Sequence, residues 1–136
     1  MSTPTTLLTA LPLLALYIFL SLQVITYRRK NLISLGHGGH SVLERRIRAH
    51  GNFAEYVPFT LVVMALCELN SVGNILIIIS GLLLVLGRYT HAFALSNATP
   101  QPLFRTTGMA LTFLSLFGLL VGILLIVLKN YGVFPV

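Results

Sequence analysis

Arg48, Asn52 and Glu55 lie in the stretch RIRAHGNFAEYVPF, residues 46–59, at intervals of four and three. At 100° per helical residue they fall within about 60° of one another, on one face. Glu44, Arg45 and Tyr56 border that strip, while His50 and Arg46 point roughly the opposite way. A guanidinium, an amide and a carboxylate on one strip can hold a small molecule that carries charges of both signs. The guanidinium suits a carboxylate in bidentate fashion, and the carboxylate suits an ammonium. The setting sharpens the point, because the strip runs straight into TLVVMALCEL. That run is apolar enough for a bilayer, where a carboxylate costs about 3 kcal/mol near the centre and less towards the edge.

Such a cost persists only when something offsets it. An internal ion pair between Glu55 and Arg48, or an arginine of another helix, is the plainest offset. The charge balance argues against it. Arg28, Arg29, Arg48, Arg88 and Arg105 all fall near one end of the expected spans, and only Glu44 and Glu55 are there to answer them. Lipid headgroups account for Arg28 and Arg29. They account poorly for Asn52, Glu55 and Arg105. The surplus calls for an anionic ligand that also bears an ammonium, such as an amino acid or a small peptide.

The elements that must position these residues follow from composition. Of 136 residues, 56% are apolar and only 9% charged, against about a quarter charged in soluble domains. The mean hydropathy is +0.90. The chain is therefore expected to be all-α and integral to a membrane, with membrane lipid as its surroundings. About 20 apolar residues cross the hydrocarbon core as a helix. Four stretches qualify, at about 7–27, 42–69, 75–93 and 103–129, forming one four-span domain over 1–136. The second helix is expected to start near Ser41, where SVLE has the form of a capping box. Pro58 removes the usual donor to the Ala54 carbonyl and is placed to bend that helix. Short connections predict an up-down four-helix bundle.

Six of the nine Lys and Arg residues lie between Arg28 and Arg48. Set between two apolar spans, they follow the positive-inside rule and do not indicate nucleic acid. This end is then cytoplasmic and both termini lie on the other side. The first span has no basic segment ahead of it, so it reads as a retained span and not a cleaved signal. The short loops lean towards a bacterial inner membrane over the endoplasmic reticulum. Cys67, the single cysteine, reads as a buried thiol. Gly118 and Gly122 permit close helix approach, within one subunit or between subunits. His37 and His40 in GHGGH fall short of the ligand set a zinc site needs, and no metal is expected.

RAHGNFAEYVP resembles the second-helix motif of the MAPEG family, the membrane-associated proteins of eicosanoid and glutathione metabolism: Arg, three residues, Asn, two residues, Glu, often Tyr, then Pro. SLQVITYRR, GRYTH and the later Arg105 are similar to other segments of that family, and the resemblance runs from about Ser21 to Thr112. It implies a homotrimer of four-helix subunits that takes glutathione as co-substrate, bound between neighbours near the cytoplasmic face. By position, Arg48, Asn52, Glu55 and Tyr56 would hold the glutathione backbone, and Arg28 or Arg29 would reach it from the first helix. Arg88, Tyr89 and His91 stand where third-helix contacts occur. Arg105 matches the fourth-helix arginine that activates the thiol; on spacing alone it would be a residue that snorkels at the end of a span. Some members carry a second tyrosine one turn beyond Tyr89, where this chain has Phe93.

The implied activity is a membrane glutathione transferase, with glutathione peroxidase as a companion, acting on an apolar electrophile that enters from the lipid. The alternative within the family is a non-catalytic protein that binds or presents lipid. A small transporter fits less well, because the charges gather at one end and not at mid-membrane.

Overall fold

The computed structural model describes residues 3–96 and 101–130. Four α-helices account for most of them: α1 (Pro4–Lys30), α2 (Ser41–Leu69), α3 (Asn74–Ser96) and α4 (Pro102–Asn130). All four are long and apolar enough to cross a membrane, and no strand occurs among the described residues. The chain is an integral membrane protein. Each helix exceeds its expected span by a turn or less at either end. Residues 97–100 of the expected third connection lie outside the described residues, as do both chain ends.

Each helix buries one stripe and turns its remaining apolar residues outward. Along α1 the stripe is Thr6, Thr9, Leu13, Leu16 and Leu20, at the alternating three and four spacing of a helix face. Leu7, Leu11, Leu14, Ile18 and Leu22 are exposed. In water such exposure would be unfavourable; in lipid it is the ordinary outer surface. α1 packs on α2 and α3, and α4 also packs on α2 and α3. Among the described residues α1 and α4 do not meet. The bundle therefore has α2 and α3 at its middle.

α3 and α4 approach most closely, and small residues allow it. The buried stripe of α4 is Gly108, Thr112, Ser115, Leu119 and Gly122. A Cβ on Gly108 would lie 2.7 Å from the His91 nitrogen and 2.8 Å from the Gly87 carbonyl oxygen; one on Gly87 would lie 2.8 Å from the Gly108 carbonyl oxygen. These are backbone atoms and cannot step aside. Further along, the Ser115 hydroxyl donates to the Ser80 carbonyl at 2.7 Å, and the buried Cys67 thiol lies 3.8 Å from the Leu119 carbonyl. Polar groups in a lipid setting thus find partners inside the bundle, as they must.

One local expectation needs correction. The SVLE capping box does not form: His40 holds the cap position of α2 without a side-chain hydrogen bond, and Ser41 is already helical. The helix starts one residue too early for Ser41 to cap it, and the His40 side chain instead shares a hydrogen bond of 3.2 Å with Tyr27 Oη. Of the two readings open for Gly118 and Gly122, their surroundings favour packing inside one chain. Gly118 faces the Ser80 hydroxyl, and Gly122 faces Cys67, Val72 and Leu76. The glycines of GHGGH serve the turn. Gly36, Gly38 and Gly39 all adopt positive φ, which costs a residue without Cβ little.

Gly108→Ala is expected to lower stability by about 1–3 kcal/mol, because the added methyl meets the α3 backbone at both Gly87 and His91. Gly51→Ala, with nothing within 4 Å of the added carbon, should hold or raise stability. Thermal unfolding of the two detergent-solubilised variants checks the contrast.

Candidate functional site

The polar strip of α2 folds as its spacing requires. Arg46 and His50 turn towards α1. The Arg46 guanidinium lies over the Tyr27 ring at 5.1 Å and donates to the Gln23 carbonyl at 3.2 Å. The His50 ring packs on Tyr17 at 5.1 Å. The opposite face of α2 is left to line a cleft of about 650 Å³ where α2, α3 and the start of α4 converge. Glu44, Arg45, Arg48, Asn52 and Glu55 come from α2, His91 from α3 and Arg105 from α4, with Ile47, Gly51 and Leu95 between them.

Five of the sequence-expected site residues therefore meet around one space: Arg48, Asn52, Glu55, His91 and Arg105. The side chains of Glu44, Arg48, Glu55 and Arg105 make no ion pair or hydrogen bond among the described residues. The internal Glu55–Arg48 pair weighed from the sequence is absent from this arrangement. Three guanidinium groups, Arg45, Arg48 and Arg105, face two carboxylates, Glu44 and Glu55. The cleft carries a positive excess before any contribution from below.

Below it lies Arg88, which is only 2% exposed. It does not line the cleft. Its Nη1 donates to Asn52 Oδ1 at 2.8 Å and lies 3.4 Å from the Asn52 carbonyl. Its Nη2 lies 3.5 Å from Met109 Sδ. The guanidinium also stands over the Tyr56 ring at 5.7 Å. Tyr56 packs edge-on against Phe113 at 5.9 Å, so it supports Arg88 and stays out of the cleft.

Three other expected residues stand apart from this space within one chain. Tyr89 follows Arg88 directly and so points about 100° away; its hydroxyl donates to the Pro12 carbonyl at 3.0 Å, tying α3 to α1. Arg28 donates to the Ser34 carbonyl at 3.0 Å and braces the first loop. Arg29 is exposed at the end of α1. Phe93 packs edge-on with Phe104 at 5.7 Å.

Glu68 was not anticipated as a structural anchor, and it works at the far end. Its carboxylate accepts from the Thr5 and Thr6 amides at 2.8 and 2.9 Å and from the Thr6 hydroxyl at 2.7 Å. These are orphan donors at the start of α1, which an anion satisfies well. Nothing in the local sequence pairs residues 62 apart, so only the fold could reveal it.

An integral membrane four-helix bundle with a cationic cleft at one end is the class of protein that fold and site define. The model of the MAPEG family matches residues 6–125, a range that holds all four helices but for their outermost turns. The chain belongs to the MAPEG family. Over 115 residues it is 32% identical to inner membrane protein YecN of Escherichia coli strain K12, a match covering 85% of this chain and 81% of YecN. YecN of Escherichia coli O6:H1 strain CFT073 matches to the same extent.

The positive excess has a direct consequence. With Cys67→Ser as background, a cysteine introduced at Gly51 should favour an anionic over a cationic methanethiosulfonate reagent, relative to the same rate ratio for a free thiol. The preference should shrink as salt rises, since screening acts on charges reachable by solvent. Stopped-flow labelling rates measure both effects.

Proposed function

We propose that this protein is a glutathione transferase of a bacterial inner membrane, with glutathione-dependent peroxidase activity as a companion, working as a homotrimer. One observation carries the reading: Arg48, Glu55 and Arg105, drawn from two helices, surround one cleft, and their side chains make no ion pair or hydrogen bond among the described residues. Glutathione supplies what they lack. Its two carboxylates answer guanidinium groups, and its ammonium answers Glu55. Arg28 and Arg29, which stand off the cleft in a single chain, would reach it from a neighbouring subunit. The basic end of the bundle faces the cytoplasm in this reading, where glutathione is available.

The chemistry needs a thiolate. A free thiol has a pKa of about 8.5 and is mostly protonated at neutral pH. A guanidinium beside the sulfur favours the anion and remains charged throughout the working range. We assign this role to Arg105. It lines both the polar cleft and an adjoining, more apolar hollow of about 550 Å³ that includes Leu95, Pro102 and Met109. The thiol proton passes to water, the sulfur lone pair forms the new bond to an electrophilic carbon, and the leaving group departs with its electron pair. An apolar electrophile dissolved in the bilayer can reach such a junction from the side. His91, buried beside the cleft, shapes its wall.

A lipid-binding role without catalysis is the second reading. A groove of about 520 Å³ between α1 and α2, lined by Leu11, Leu14, Phe53, Val57 and Leu61 among others, favours it. Glutathione binding separates the two. Calorimetry on detergent-solubilised protein should give saturable glutathione binding, and a generic aryl halide should be conjugated. Arg105→Ala should lower kcat by roughly 100-fold and move the alkaline rise in rate to higher pH, because the thiol loses the cation that holds its pKa down. Unchanged rate and pH profile would refute the assignment of Arg105.

A further inference from the structure

We propose that Arg88 is a positioning residue: it fixes which end of the Asn52 amide faces the cleft, so that Asn52 offers a donor to an acceptor oxygen of the ligand. This inference rests on the glutathione reading and adds a polarity to it.

The chemistry of the two side chains decides the orientation. A guanidinium has donors and no acceptor, so the Asn52 atom that meets it must be the carbonyl oxygen. That contact is 2.8 Å long, and the amide nitrogen is thereby turned away from Arg88. Asn52 lines the cleft. Its Nδ2 makes no hydrogen bond among the described residues, and it is not among the buried unpaired atoms, so it is open to the cleft.

The lock is hard to release. No carboxylate lies within ion-pair reach of Arg88 among the described residues. Arg88 Nε is already buried without a partner, and Nη2 has only the Met109 sulfur, a weak acceptor. Turning the Asn52 amide over would set an N–H against Arg88 Nη1 and strip the cation of its best acceptor. An unmade hydrogen bond to a buried charge is costly. A free amide could present either end to a ligand; this one presents its nitrogen.

The consequence is a division of labour along one helix face. Asn52 takes a carboxylate or peptide carbonyl oxygen of glutathione, and the ammonium is left to Glu55, one turn further on. The cleft thus discriminates orientation, because a molecule docked the other way would set its ammonium against the Asn52 amide.

Asn52→Asp tests the polarity. It keeps an acceptor for Arg88 and replaces only the group that faces the cleft. Circular dichroism and thermal unfolding of the full-length protein in detergent should show an intact fold with equal or higher stability, since the buried cation gains a carboxylate. Calorimetry should show glutathione bound roughly tenfold more weakly or worse. Arg88→Met tests the positioning. It should weaken glutathione several-fold in the wild-type background and add little once Asn52→Ala has been made, whereas a merely structural role would weaken binding in both. If Arg88→Met fails to fold, the Asn52→Asp affinity decides alone. Glutathione bound as tightly by Asn52→Asp as by the wild type overturns this inference and leaves the transferase reading standing. A wild-type protein that does not bind glutathione overturns both.

Discussion

The contact of Gly87 with Gly108 sets the register on which the site depends. Where a Cβ on either residue would run into the other's backbone, α3 and α4 cannot slide past one another without losing their closest approach. Arg88 follows Gly87 directly, His91 lies one turn on, and Arg105 lies one turn before Gly108. The close approach therefore delivers three cationic or titratable groups to the same level of the bundle as Asn52 on α2. Van der Waals packing and satisfied polar groups, not an apolar driving force, hold helices together in lipid. A crossing built on glycine is the means by which this chain gathers charge at one place.

The two ends of the bundle treat carboxylates differently, and the difference is informative. Glu68 accepts three hydrogen bonds at the start of α1, with two amides and a hydroxyl as donors. It is a structural fastener, and its charge is answered by the helix end it caps. Glu44 and Glu55 at the other end have no such answer among the described residues. A protein that satisfies one carboxylate with three hydrogen bonds is able to satisfy others. In the proposed reading, Glu55 beside Arg48 and Arg105 is where glutathione completes the bonding.

Arg88 connects these themes. This buried cation, with no carboxylate in ion-pair reach among the described residues, is held by an amide oxygen, a backbone carbonyl, a sulfur and an aromatic face. Each is a partial compensation, and together they leave net positive charge directly beneath the cleft. The glutathione assignment remains the reading that these unpaired groups support best.

The sequence by itself determined the four helices and the composition of one helix face. Twenty apolar residues without charge leave the backbone few choices in a membrane, and Arg48, Asn52 and Glu55 share a strip because spacings of four and three do so in any α-helix. These are local consequences of bond geometry, so they could be read in advance, as could the opposite heading of Arg46 and His50. What lies across from that strip was decided by tertiary structure alone. Arg88 and Tyr89 are adjacent and both apt for a ligand, yet one turns under the cleft and the other bonds to Pro12 on α1. Gly87 and Gly108, unlike the more visible Gly118 and Gly122, bring two helix backbones against each other, and Glu68 finds its donors more than sixty residues away. No periodicity encodes such pairings, because they depend on how far two rigid helices can approach and on which polar groups are left open when they do.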